Sequence, residues 1–375
     1  MLIALSDEQV RWLRLRAQRL TSPPATAVAG IVRALCGLQA QDAPAAMLGV
    51  RVRSAGLLAA NVERARIDER SVVRTWAMRG TLHLLATEDL GWLLSLLGPV
   101  FIDGSRRRSA ELGLDEDMYA RGVRAIRDAL ASGGPLTRPE LVEYLDTLGI
   151  RTTGQAKAYL VYRAALEGFI CFGPDRGAQP TYVLLDDWIG RERGAALPRE
   201  VACAELACRY LAAYGPAAPE DFVAWSGLFM KDARAAWARI ANDLLEVAHG
   251  QRSLWLLKSQ ATWLDEPVAA GPLVRLLPAF DTYLLGYRSR NLVIAPEYAK
   301  RVNAGGGMIH SVLLLNGLVL GTWKSKHQRT SLEVVVEPFQ PLAPETLPGL
   351  EAEVSDLARF LETTAALRLL PVPAL

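Results

Sequence analysis

Gln39 and Gln41 are the residues of this 375-residue chain whose types and spacing point most directly to chemistry. They stand in Gly37-Leu-Gln-Ala-Gln-Asp-Ala-Pro44. A primary amide donates and accepts hydrogen bonds without titrating, so a pair can orient a water and present carbonyl dipoles. It cannot act as a strong base. On one continuous helix, residues two apart point about 200° away from each other. The pair therefore converges on one target only where the backbone is extended or turned, and the neighbouring residues predict such a break. Gly37 suits the position that closes a helix running from Thr26 to Cys36. Asp42 is a good N-cap, and Pro44 is tolerated in the first turn of the next helix. The glutamines are expected in the turn of a helix-turn-helix, where the alternative is an ordinary solvated turn.

The other chemistry-bearing types are more dispersed. Cys36, Cys171, Cys203 and Cys208 lie in apolar surroundings, the last two at a spacing that matches no zinc signature. His83, His249, His310 and His327 are scattered, so no metal site is expected. Gly305-Gly-Gly307 lacks the Gly-Lys-Ser/Thr that completes a phosphate loop and reads as a flexible turn. His83 falls in a predicted strand and reads as a core or wing histidine rather than a catalytic base. Trp76 and Trp323 read as core or wing anchors before base-stacking platforms. Asp281 follows an apolar strand and precedes Arg288 and Arg290, so it either positions a ligand or pairs with one of those arginines. Phosphate-contact candidates are Arg79, Arg288, Arg290, Lys324, Lys326 and Arg329, with Arg106-Arg107-Arg108 as another, each against a plain solvated face.

Composition bounds the class. At 51% hydrophobic and 22% charged residues the chain can build a sizeable core. The formal charge of +2 permits an anionic partner without demanding one. Basic residues are mostly arginine, the better bidentate partner for phosphate and guanine edges, although biased base composition of a gene gives the same skew. Reduced core cysteines imply a cytosolic protein, expected with the nucleoid if it binds DNA. The opening Met1-Leu-Ile-Ala-Leu5 is too short for a signal segment, and no apolar run approaches the roughly 20 residues of a membrane span.

The elements that must hold these residues show a repeat. Asp7–Leu20 reads as an amphipathic helix capped by Ser6 or Asp7, with Val10, Leu13 and Ala17 on one face, and residues 21–24 break it. Helices follow to Cys36, over Ala43–Val52 and over Leu57–Ala65. Ser71–Leu85 then alternates, is rich in β-branched residues and holds Arg79-Gly80, which reads as a hairpin. The order returns with helices over Asp117–Ala131, from Thr137, and over Gly154–Glu167, then strands Phe169–Phe172 and Thr181–Leu185. It returns again from Arg199: Gly215-Pro216 aligns with Gly134-Pro135, which places Asp221 on Glu140, and strands Leu244–Ala248 and Ser253–Leu257 follow the helix Phe229–Asn242. Three tandem winged helices are expected. From Leu273 strands predominate (Val274–Leu277, Ser311–Leu315, Leu318–Lys324, Leu332–Val336), with an Asn316-Gly317 turn and a closing helix over Glu351–Glu362, as in a small barrel or curled sheet. The tail after Leu370 reads as loose.

Gln39-Ala-Gln41, Arg74-Thr-Trp-Ala-Met-Arg-Gly-Thr-Leu-His83, Leu277-Pro-Ala-Phe-Asp-Thr-Tyr-Leu-Leu-Gly-Tyr-Arg-Ser-Arg290 and Gly321-Thr-Trp323 together resemble the AlkZ/YcaQ family of winged-helix DNA glycosylases, in the same order over nearly the whole chain. The resemblance implies an α+β fold, with three winged helix-turn-helix modules and a C-terminal small β-barrel forming a C around duplex DNA. The modules would span residues 1–115, 116–195 and 196–270, and the barrel 271–375. It implies excision of bulky or cationic N7-alkylguanine lesions, interstrand crosslinks made by antibiotics included. Gln39 and Gln41 match the family's catalytic pair; the second glutamine, in place of the aspartate of the YcaQ branch, places the chain nearer the AlkZ-like self-resistance enzymes. Residues expected to face DNA are Arg79, His83, Arg288, Arg290, Lys324 and Lys326. The expected partner is double-stranded DNA carrying alkylated or crosslinked guanine, met by a monomer with no cofactor, no metal and no membrane.

N7-alkylation makes guanine cationic and a good leaving group without a general acid. Two amides then suffice to position a water at C1′ and to stabilise an oxocarbenium-like transition state. Cationic lesions are expected as substrates, and neutral bases such as uracil are not. No lysine lies near the motif in sequence, which favours a monofunctional, water-using enzyme over a Schiff-base lyase. A deep base-flipping pocket is not expected beside a bulky crosslink. Two readings compete: a winged-helix regulator whose glutamines read bases or phosphates, and a protein-interaction scaffold.

Overall fold

A computed structural model describes residues 2–21, 27–190, 194–268, 271–327 and 331–372. Most of the expected break at residues 21–24 and the expected helix start at Thr26 lie outside the described residues, as does Arg329. The chain resolves into two compact units, one made of residues 1–63 with 204–375 and the other of residues 64–203.

In the first unit, Ser6 and Gln9 exchange hydrogen bonds as a capping box that starts the helix Asp7–Ala17. Its buried stripe is Val10, Leu13 and Ala17, joined by Leu15. The strand Ile3–Ala4 ahead of it pairs in parallel with Val247 and Ala248, a pairing no local pattern announces. Helices Val28–Ala34 and Ala43–Arg51 flank the short strand Leu38–Gln39.

The second unit opens inside the helix Ala59–Ile67 and holds the hairpin Val72–Trp76 with Leu82–Ala86. Arg79 (φ 57°) and Gly80 (φ 64°) turn it, and Gly80 is required there for space as well. A Cβ at Gly80 would fall 2.3 Å from the Tyr162 hydroxyl oxygen. Next comes the 22-residue helix Leu90–Glu111, which the expected pattern did not include. Proline sits inside this helix, and Gly98 is where it crosses the Leu166 carbonyl, 2.3 Å from where a Cβ would stand. Helices Glu116–Gly133, Arg138–Thr147 and Ala156–Leu166 and the hairpin Ile170–Phe172 with Thr181–Leu184 close the unit around Ile126, Leu141, Leu160, Ala164 and Ile170.

The helix Arg199–Tyr214 leads back into the first unit. There Pro219–Ser226, Met230–Arg239 and the hairpin Leu244–His249 with Arg252–Leu257 follow. The Gly134/Gly215 alignment is reproduced in local chemistry. The Glu140 carboxylate accepts from the Thr137 N–H at 2.7 Å, and that bond holds its pKa below the ordinary value. Asp221 accepts from the Ala218 N–H at 3.1 Å. Each acid satisfies an orphan donor at a helix start.

The C-terminal sheet has five strands in the order Val274–Leu277, Val312–Leu315, Leu318–His327, Ser331–Pro338, Thr364–Leu369. Asn316 (φ 49°) and Gly317 (φ 82°) make the expected two-residue hairpin turn. The sheet is an open half-barrel where a small closed barrel was one expectation. Its first and last strands remain edges, and the last pairs in parallel with Ser331–Val336. The helix Leu347–Phe360 buries Leu350, Val354 and Leu357 against Val274, Leu276, Leu313 and Val334. Cys36, Cys171 and Cys203 are buried thiols and Cys208 is half-buried. Among the described residues, no helix is long and apolar enough to cross a membrane.

Candidate active site

A short strand, Leu38–Gln39, ends at the first glutamine, and the second lies in the bend that follows. Leu38 and Ala40 are buried, Gln39 is half-buried and Gln41 is exposed. The preceding helix closes as a Schellman motif: the Gly37 N–H donates to the Val32 carbonyl at 2.9 Å, and Cys36 to Arg33 at 3.0 Å. The left-handed C′ residue is Cys36 (φ 51°), one place earlier than the glycine expected to hold it, and Gly37 (φ 104°) continues the reversal. On the other side the Asp42 carboxylate accepts from the Ala45 N–H at 3.0 Å, as its N-cap role requires.

Both flanking helices are fastened in the first unit. The Tyr214 hydroxyl donates to the Leu35 carbonyl at 3.1 Å. Arg51, at the end of the helix that Asp42 starts, donates to Glu353 at 2.9 Å, the Leu276 carbonyl at 2.9 Å and Asp356 at 3.1 Å. Arg53 grips Asp281 through two nitrogens at 2.7 and 2.8 Å, and both side chains are fully buried. Asp281 therefore pairs with neither Arg288 nor Arg290. It caps Thr282–Leu285 from inside the core, where a carboxylate requires a charged or multiply donating partner. Sequence reasoning missed Arg51 and Arg53; their position in a buried helix end was the available signal.

The expected DNA-facing residues divide between the units. In the first, Arg288 is exposed, and Arg290 is half-buried with its Nε donating to the Leu284 carbonyl at 2.7 Å. Burial lowers the Arg290 pKa from its ordinary value. Lys324 and Lys326 are exposed two apart on one strand, opposite Val335 and Glu333. In the second unit, Arg79 is half-buried at its hairpin turn. His83 is 2% exposed, with Nδ1 3.0 Å from the Thr81 carbonyl. Burial first, and the Arg79 charge second, lower its pKa to about 3. A buried, neutral imidazole makes no cationic contact with phosphate, and every residue of its strand is buried. Arg106, Arg107 and Arg108 lie exposed on the helix Leu90–Glu111 and pair with Asp103 or Glu111.

A cavity of about 1300 Å³ in the first unit opens among Trp12, Arg16, Arg33, Arg209 and Trp263, and neither glutamine lines it. Among the described residues, no group of three or more His, Cys, Asp or Glu is arranged to hold a metal.

The model of the family described as AlkZ-like DNA glycosylase matches residues 32–360. A relative from Streptomyces sahachiroi, described as an interstrand DNA cross-link repair glycosylase, is 32% identical over 368 residues, covering 94% of this chain and 96% of that protein. The solved structure of the Streptomyces sahachiroi DNA glycosylase AlkZ is similar at a TM-score of 0.84 and 28% identity, over 98% of this chain and 100% of that one.

Proposed function

The chain belongs to the AlkZ-like DNA glycosylase family, and from that premise we propose that it hydrolyses the N-glycosidic bond of cationic N7-alkylguanine in duplex DNA. Bulky adducts and interstrand crosslinks are included, in keeping with the description of the Streptomyces sahachiroi relative, and self-resistance to a DNA-alkylating antibiotic is the role that fits such substrates. The reading takes the enzyme as a cytoplasmic monomer that needs no cofactor. It takes the fold as three winged helix-turn-helix modules, residues 1–115, 116–195 and 196–270, and the half-barrel, 271–375.

The observation that supports it is the non-helical break that holds Gln39 and Gln41 two residues apart between two fastened helices, with Gln41 exposed. The lesion supplies the driving force. As the C1′–N9 bond breaks, its electron pair neutralises the cationic base, so no proton donor is needed. A water held by the two amides adds to C1′ and releases its proton to solvent, while the amide carbonyl oxygens face the developing positive charge. The exposure of Gln41 suits a substrate too bulky to be drawn into an enclosed pocket.

Free base released from N7-methylguanine duplex, with none from uracil duplex, is the expected result. Gln39→Ala and Gln41→Ala should each slow release by about 10²–10³-fold, the usual effect of removing one aligned dipole. Borohydride should trap no protein–DNA adduct. Equal release of uracil, or variants as fast as the parent chain, would overturn the assignment.

A further inference from the structure

Three helices occupy the third-helix place of the repeated order, each followed by a hairpin: Ala59–Ile67, Ala156–Leu166 and Met230–Arg239. The cations of the first are committed. Arg64 pairs with Glu69 at 3.0 Å, and the buried Arg66 donates to the Gly173 carbonyl and Asp175. On the second, Lys157 is exposed, while Arg163 pairs with Glu116 and Glu167. The third differs. Its exposed positions are Lys231, Arg234, Ala235, Ala238 and Arg239. At 100° per residue they form one continuous face about 140° wide, with three cations, two alanines and no acid. Asp232 lies at the flank, half-buried. Lys231, Arg234 and Arg239 have no acid within ion-pair distance among the described residues. Phe229, the residue just before the helix, is 58% exposed, with the Lys231 ammonium 6.0 Å from its ring centre.

Unpaired cations of one sign cost stability through mutual repulsion, and an exposed phenyl ring leaves apolar surface in water. Both are relieved by one partner, a polyanion with a groove. The alanines let the helix axis approach closely, Arg234 and Arg239 on either side of them reach outward to opposite walls of a groove, and Lys231 stands between the alanines at the N-terminal end. The N-terminal end of such a helix is the end that meets base edges, and phenylalanine is a residue type that contacts thymine methyl groups. We propose that Met230–Arg239 is the element that docks in the major groove of the duplex, with Lys231, Arg234 and Arg239 on phosphates and Phe229 at the base edges. The inference rests on the reading that the substrate is duplex DNA, but not on the glutamine chemistry.

The test is equilibrium binding of the full chain to a fluorescein-labelled duplex without any lesion, followed by anisotropy from 50 to 200 mM salt, with circular dichroism confirming each variant's fold. Alanine disturbs neither the helix nor its buried side. The triple variant Lys231→Ala, Arg234→Ala, Arg239→Ala should lower the slope of log K against log salt by roughly 2–3, at about 0.9 for each phosphate no longer neutralised, and weaken binding tenfold or more. Phe229→Ala should weaken binding several-fold with the slope unchanged, since an apolar contact releases no counterions. A folded triple variant whose slope stays within about 0.5 of the parent value would overturn the proposal. Base release from alkylated duplex is measured alongside. If the parent chain releases none while the triple variant loses its slope, the glycosylase reading fails and the docking helix stands; release with an unaltered slope gives the converse.

Discussion

Helix Ala156–Leu166 directs Tyr162 edge-on at Trp76, 5.8 Å between ring centres, and lies under the carbonyl-close crossing at Gly98. Helix Met230–Arg239 has the same place in the repeated order and nearly the same length, yet buries only Ala233, Ala236 and Trp237 and turns a basic face to solvent. The first is consumed by packing within its unit, and its large aromatic residues and glycine-sized gaps are the marks of that use. The second keeps small residues and unpaired cations outside. Within one repeat, then, position in the motif does not decide function; what else packs on the element does.

The contrast can be broken by adding a single methyl group. Gly98→Ala should destabilise the unit of residues 64–203 by about 3 kcal/mol, because the obstacle is the Leu166 backbone carbonyl rather than a side chain that can rotate away. Urea unfolding would read it, and a cost below about 1 kcal/mol would mean that the two helices are free to separate. Acid offers a second, smaller lever. The His83 pKa near 3 lies below its ordinary 6.5, so the unfolded chain takes up the proton first. Its contribution is present above pH 6.5 and is lost as pH falls toward 3, which from pH 7 to 5 amounts to on the order of 2 kcal/mol. In the hairpin Leu244–His249 with Arg252–Leu257, His249 instead lies near the surface, 2.7 Å from Asp7. The melting temperature of the parent chain should therefore drop over that interval more than that of His83→Gln, and parallel curves would remove His83 as the cause. The smallest effect on stability belongs to the open helix. Ala235→Glu should change unfolding by less than about 0.5 kcal/mol, as exposed substitutions do, while weakening duplex binding several-fold by setting an acid among the three cations. A large loss of stability there would show that this face is packed after all.

Much of the frame could be read from residues alone, because it is local. The Asn316-Gly317 turn, the Thr137 helix start, the Arg79-Gly80 hairpin and the Asp42 cap each follow from a side chain acting on its own backbone. The break in the helices around Gln39 and Gln41 was foreseeable for the same reason, since the helix end before it and the Asp42 cap after it are both local. What escaped notice depends on distant partners. The helix Leu90–Glu111 holds a glycine and a proline in its interior, and only the Leu166 carbonyl shows why the glycine is needed there. The strand Thr364–Leu369 carries two alanines and no strong propensity, and forms because Ser331–Val336 offers it an edge. Sequence proximity pairs Asp281 with Arg288 or Arg290, whereas its partner, Arg53, is 228 residues away. The Leu347–Phe360 helix begins ahead of the expected Glu351 because Pro348 and Gly349 occupy its first turn, the glycine facing Val274.

The two-piece first unit also has a bearing on synthesis. Residues 64–203 are complete as soon as they leave the ribosome and can fold while the rest is being made. The segment with Gln39 and Gln41 emerges before them but is fastened by Tyr214, Asp281 and, last of all, Glu353, 302 residues beyond Arg51. The segment with the two glutamines is thus secured long after it is made. A chain stopped short of the helix Leu347–Phe360 would carry both glutamines but lack the Glu353 and Asp356 partners of Arg51.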